Sequence, residues 1–137
     1  MRKLLLFLPF VLLLSTCSKE PGEGGRAEIV GRVMTQLYQN NANDVPIGEP
    51  YPTPEHRVYI IYGNGNYHDD DVRTGADGGF RFSGLRPGTY KIYTVSEVFR
   101  LPTVTPSGTE VVMRTVEIKE RKGTVNIGDL NIKRFRL

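Results

Sequence analysis

Twenty residues, TGADGGFRFSGLRPGTYKIY from Thr74 to Tyr93, constrain the fold more than any other part of the chain. They hold two turn signals around an alternating run. Asp77-Gly78 between alternating segments predicts a hairpin, because glycine adopts positive φ at no steric cost. Leu85-Arg86-Pro87-Gly88 predicts a second turn, in which proline presets φ ahead of the glycine. Phe80 and Phe82 then share one face and Arg81 the other, with a further strand over Thr89–Val95. Phe80, Phe82 and Tyr90 are therefore predicted to be buried. Five glycines, two of them near an arginine, also suggest a phosphate cradle. Such a cradle needs glycines leading into a helix N-terminus, and no helical period follows here.

The remaining folded part repeats this grammar. Glu28–Leu37 alternates, with Ile29, Gly31, Val33 and Thr35 on one face. Tyr38–Glu55, rich in asparagine and proline, reads as a long loop. Arg57–Tyr62 is β-branched and aromatic and reads as a central strand. Gly63–Asn66 is a turn cluster, and Asp71–Thr74 a short strand with Val72 and Thr74 inward. Ser96–Ser107 reads as a second long loop. Glu110–Lys119 and Thr124–Lys133 read as the last two strands. The last one changes phase: Val125 and Ile127 share one parity, Leu130 and Ile132 the other. A β-bulge at Gly128-Asp129 brings all four inward. Seven short strands, frequent turns and no helical period predict an all-β fold, a single seven-stranded antiparallel Greek-key sandwich.

The N-terminus has a different character. Met1-Arg2-Lys3 is followed by an apolar run, Leu4–Leu14, too short to span a bilayer and of signal-peptide length. Leu14-Ser15-Thr16-Cys17 resembles the bacterial lipobox, whose cysteine carries a diacylglycerol. The resemblance implies a lipoprotein signal peptide over 1–16, lipidation at Cys17 and stable anchoring in the bilayer. Residues 17–26, small, polar and glycine-rich, read as lipidated cysteine and flexible tether, and 27–137 as the folded domain. Short charged segments after such a cysteine direct export to the outer face of the outer membrane in some bacteria, and Ser18-Lys19-Glu20 is similar to them. Cys17 is the single cysteine, so the domain holds no disulfide. The net charge of +3 falls to about +1 once Arg2 and Lys3 are removed, which argues against a nucleic-acid partner.

The pattern Ile29-x-Gly31-x-Val33, Val58-x-Ile60 and Thr74-x-x-Asp77-Gly78-x-Phe80-x-Phe82-x-x-Leu85-x-Pro87-Gly88-x-Tyr90 resembles the carboxypeptidase regulatory-like domains of the prealbumin-like (transthyretin-like) superfamily. The resemblance spans about residues 27–135. It implies a prealbumin-like sandwich with a non-catalytic structural or protein-binding role and no cofactor. The hydroxyisourate hydrolases of that superfamily need histidines and a C-terminal signature that Arg134-Phe135-Arg136-Leu137 does not reproduce, so no catalytic residue is expected. Adhesin relatives form a lysine–asparagine isopeptide bond. Here the first strand offers Arg32, and a guanidinium cannot make that bond.

Two ligand chemistries need weighing. His68-Asp69-Asp70-Asp71 offers carboxylates to calcium, but on a strand only alternate residues such as Asp69 and Asp71 converge. The plainer reading is a solvated acidic edge, and no metal is expected. A glycan is the alternative partner, through tyrosines in loops: Tyr38, Tyr51 and Tyr67. Loops on alternating strands fall at alternate ends of a sandwich. The end remote from Cys17 therefore gathers both long loops, with Tyr38, Tyr51, Phe99 and Leu101 as the expected contacts for an envelope protein. The near end carries Arg86, Arg121 and Lys122, which suit an anionic lipid surface.

Overall fold

In the computed structural model, residues 20–39, 43–99 and 108–136 are described. The signal segment, Cys17 and Leu101 lie outside them. Eight strands form: β1 (Glu23–Tyr38), β2 (Pro46–Pro52), β3 (Arg57–Tyr62), β4 (Asp70–Arg73), β5 (Gly79–Leu85), β6 (Gly88–Glu97), β7 (Thr109–Ile118) and β8 (Lys122–Phe135). They make two four-stranded sheets. In the first, β1 pairs with β8 along one flank, and with β5 and then β2 along the other. In the second the order is β4-β3-β6-β7.

The all-β sandwich expected from sequence is present, with three differences in detail. The first is β2, which lies inside the segment read as a loop. Pro46, Pro50 and Pro52 obscure it, but an edge strand needs ladder donors on one flank only, so proline is tolerated there. The second is the β1–β8 ladder, which is parallel and runs from Arg26↔Lys122 to Tyr38↔Phe135. The third is the start of β1 at Glu23, inside the expected tether. Gly25 permits this, since a Cβ there would lie 1.9 Å from the Leu85 carbonyl oxygen.

The predicted bulge is present. Between Val30↔Asn126 and Arg32↔Asp129, β8 advances one residue more than β1. Gly128 takes φ +76°, and its amide donates to Asn126 Oδ1 at 2.8 Å. The phase change turns Leu130 and Ile132 fully inward, while Val125 and Ile127 pack partly buried on the same core.

The core lies between the sheets. Ile29, Val33, Phe80, Phe82, Leu85, Leu130 and Ile132 of the first face Val58, Ile60, Tyr90, Ile92 and Ile118 of the second. Gly31 shares the inward face as expected, and the Phe80 ring fills the space its missing side chain leaves. Buried hydroxyls are paired, as burial without a partner is costly. Thr35 Oγ1 meets Thr53 Oγ1 at 2.6 Å, Thr74 Oγ1 donates to the Thr53 carbonyl, and Thr94 Oγ1 donates to the Arg57 carbonyl.

Candidate functional site

Alternation decides what the second sheet shows to solvent. Val58 and Ile60 point inward on β3, and Ile92 and Thr94 on β6. Tyr59 and Tyr93 must then point outward. Register sets them side by side: Asp71 opposes Tyr59, Tyr59 opposes Tyr93, and Tyr93 opposes Met113. The next outward row brings Val95 opposite Val111.

The two tyrosine rings stack across the strands, with centroids 4.8 Å apart and planes 15° from parallel. His68, in the β3–β4 turn, leans on Tyr59 at 4.9 Å, and its Nδ1 lies 3.4 Å from the Tyr93 hydroxyl. Burial, then the neighbouring Tyr59, raises the Tyr93 pKa, so its hydroxyl stays protonated. Arg57 Nη1 meets Asp71 Oδ2 at 3.1 Å and fixes the polar border of the strip. Beyond the rings the face is apolar and open: Val95 is 36% exposed, Met113 46% and Val111 56%. A rigid sheet thus displays a contiguous strip of two rings, a thioether and two valines, bordered by charge. Such a strip can bind.

The residues singled out from sequence fall in several places. Tyr38 and Phe99 do come together, though not through loop tips. Both lean on Phe135 of β8, with centroids 5.8 and 6.0 Å away, and Lys133 Nζ sits 5.4 Å over the Tyr38 ring. Both are half-buried, so this cluster closes the far end of the sandwich. Tyr51 lies on β2 opposite Thr35, on a strand rather than in a loop, and is 40% exposed. The acidic run is engaged locally: Asp69 Oδ2 accepts the Tyr62 amide at 2.7 Å, Asp70 Oδ1 accepts the Asp71 amide, and Asp71 pairs with Arg57. Among the described residues no three His, Cys, Asp or Glu side chains are placed to hold a metal ion. His56 sits half-buried with Nε2 3.2 Å from the Val95 carbonyl, and burial lowers its pKa.

Tyr59 and Tyr93 were not singled out from sequence. Their signal was there, because Val58-x-Ile60 inward forces Tyr59 outward and Tyr90-x-Ile92 inward forces Tyr93 outward.

Comparison with protein families and with curated proteins gives no match. Among solved structures, the chain is similar to the crystal structure of a candidate carbohydrate-binding protein from Pseudomonas aeruginosa. The two share 15% identity over 78% of this chain and 90% of the other, with a TM-score of 0.46.

Proposed function

We propose that the protein is a non-catalytic binding module of the bacterial envelope, anchored through lipidated Cys17, which holds a partner protein against the outer face of its second sheet. The observation that carries this reading is the stacked Tyr59–Tyr93 pair beside exposed Val95, Val111 and Met113. Contiguous apolar groups rimmed by charge, on a rigid element, are the usual anatomy of a docking face. Tyrosine and methionine are enriched at such faces, and a packed aromatic anchor supplies much of the binding energy. The anchor reading rests on Leu14-Ser15-Thr16-Cys17 after the apolar run.

Two experiments test the two halves separately. Cys17→Ser should move the protein from the membrane fraction to the soluble fraction; unchanged partition would refute the anchor. Tyr59→Ser with Tyr93→Ser should leave the fold intact, since neither ring is in the core, and abolish capture of the envelope partner that the wild type retains. Capture unchanged by this pair would refute the docking face.

Carbohydrate binding is a second reading, favoured by one observation. Tyr67 is 85% exposed and adjoins His68 and the aspartates that follow, so a free ring face and hydrogen-bonding groups lie side by side. Tyr67→Ala would lower affinity for a polysaccharide in this case and leave protein capture unchanged.

A further inference from the structure

A strand at a sheet edge offers unpaired backbone groups, and folds usually guard such edges. Most edges here are guarded. β4 is four residues long and charged, with Asp70, Asp71 and Arg73. β2 carries three prolines. β5 is broken by Gly84 at φ +68° and by two register shifts against β1. The free flank of β8 is closed by side chains of the other sheet. Arg114 donates to the Ile127 and Asp129 carbonyls at 2.7 and 2.9 Å, Ser96 Oγ accepts the Lys133 amide, and Glu97 Oε2 accepts the Phe135 amide.

β7 carries charges at Glu110, Arg114 and Glu117 but none of the other devices. It is ten residues long, without proline or glycine, and pairs with β6 at ten consecutive positions with no register shift. Among the described residues it pairs with no other strand. Its outward side chains include the exposed Val111 and Met113.

We propose that β7 pairs antiparallel with β7 of a second copy, centred on Val112, to form one continuous eight-stranded sheet. The charge pattern selects this occupant and this register. With Val112 opposite itself, Glu110 lies opposite Arg114 twice, Val111 lies opposite Met113 twice, and Thr109 lies opposite Thr115 twice. Glu110 makes no ion pair within 4.0 Å in its own chain among the described residues; Lys133, the cation its charge acts on, is paired with Asp44. Arg114 spends Nη1 and Nη2 donors on β8 carbonyls and keeps further N–H groups for a carboxylate. A register two residues further on, centred on Arg114, sets Arg114 against itself. Paired opposite charges support a ladder, and like charges directly opposite weaken it. In the dimer the apolar strips of the two copies meet edge to edge, so the docking face doubles in width while Tyr59 and Tyr93 stay open.

The test is sedimentation equilibrium of the full chain in mild detergent. The wild type should show twice the protomer mass, with a dissociation constant that Glu110→Arg weakens by on the order of tenfold, since two attractive pairs become two repulsive ones. Met113→Lys, on the other face of the same strand, should weaken it similarly. Circular dichroism on each variant separates loss of pairing from loss of fold. A wild type that stays monomeric at millimolar concentration overturns the proposal, including the case in which β7 captures a different protein. So does a dimer that both folded variants leave unchanged.

Discussion

Tyr90 and Gly22, 68 residues apart, are joined through the Tyr90 hydroxyl, which accepts the Gly22 amide at 2.9 Å. The same hydroxyl donates to the Arg86 carbonyl at 2.6 Å, and the Arg86 amide donates to the Gly22 carbonyl at 2.9 Å. Pro21 lies over Gly88, where a Cβ would come within 2.5 Å of the proline ring. The N-terminal arm is therefore pinned to the β5–β6 turn from Pro21 onward. Three residues separate that pin from Cys17, a reach of about 14 Å fully extended from Cys17 to Pro21. A lipid at Cys17 would hold the sandwich close to the bilayer, with the turn bearing Arg86 on the near side.

Tyr90→Phe keeps the ring and removes the pin. The buried Gly22 amide then loses its partner, at a cost of about 1–3 kcal/mol. Thermal melting should show that loss, and limited proteolysis should cut the arm before the domain unfolds. An arm as resistant as in the wild type would mean that the Arg86–Gly22 bond suffices.

Gly31 is set by packing. A Cβ there would lie 2.6 Å from Phe80 Cζ and 2.9 Å from the Gly128 carbonyl oxygen. Gly31→Ala should overpack the core by about 1–3 kcal/mol. Adding Phe80→Leu, which withdraws the ring, should recover part of that loss, so the two changes should be non-additive in chemical denaturation. Strict additivity would place the strain on the Gly128 backbone instead.

The turn and bulge glycines show where the sequence was legible. Asp77-Gly78 and Pro87-Gly88 fixed the phase of Phe80, Phe82 and Tyr90, and all three are buried. The parity change across Gly128 announced its own bulge. What was hidden depended on partners far along the chain. Nothing local in Pro46–Pro52 marks a strand, because its ladder is supplied by β1. Nothing in the order of strands marks β1 and β8 as parallel neighbours. Gly22–Gly25 reads as a tether until Tyr90 and Leu85 are brought against it. The Tyr59–Tyr93 strip was written in the alternation of two strands, yet only the β3–β6 register shows that the rings stack.

Stability should depend on pH in a definite way. Burial first, then Glu23 and the nearby aspartates, pushes the Tyr62 pKa from 10.0 up to about 12, and burial also raises Tyr90 and Tyr93. A raised pKa means the folded state holds the proton more tightly. The contribution is complete below pH 10 and is lost as pH rises towards about 12. On the acid side, burial lowers His56 from 6.5, so the unfolded chain takes up that proton first and stability falls below pH 6.5. Denaturation midpoints should be flat between these limits. Tyr62→Phe should blunt the alkaline fall, and His56→Gln the first acid fall; a curve that neither change alters would refute the assignment.

Two of the aromatic groups, one around Phe135 and one on the second sheet, make opposite predictions when damaged. The cluster of Tyr38, Phe99 and Phe135 is half-buried and ties the ends of β1 and β8 to the end of β6. The Tyr59–Tyr93 pair stands on the open face of a sheet whose other side is packed. Phe135→Ala removes the ring that both neighbours lean on. It should cost about 1–3 kcal/mol, below the range for a fully buried phenylalanine, because the cluster is partly wet. Partner capture by the folded fraction should be unchanged. Tyr93→Ser should do the reverse: melting should move little, and capture should fall by on the order of tenfold or more, as for an anchor residue worth at least about 1.4 kcal/mol. Measuring melting and capture on both variants separates the two roles. If Phe135→Ala abolishes capture at full fold and Tyr93→Ser does not, the far end of the sandwich is the binding surface, and the sheet face is only its support.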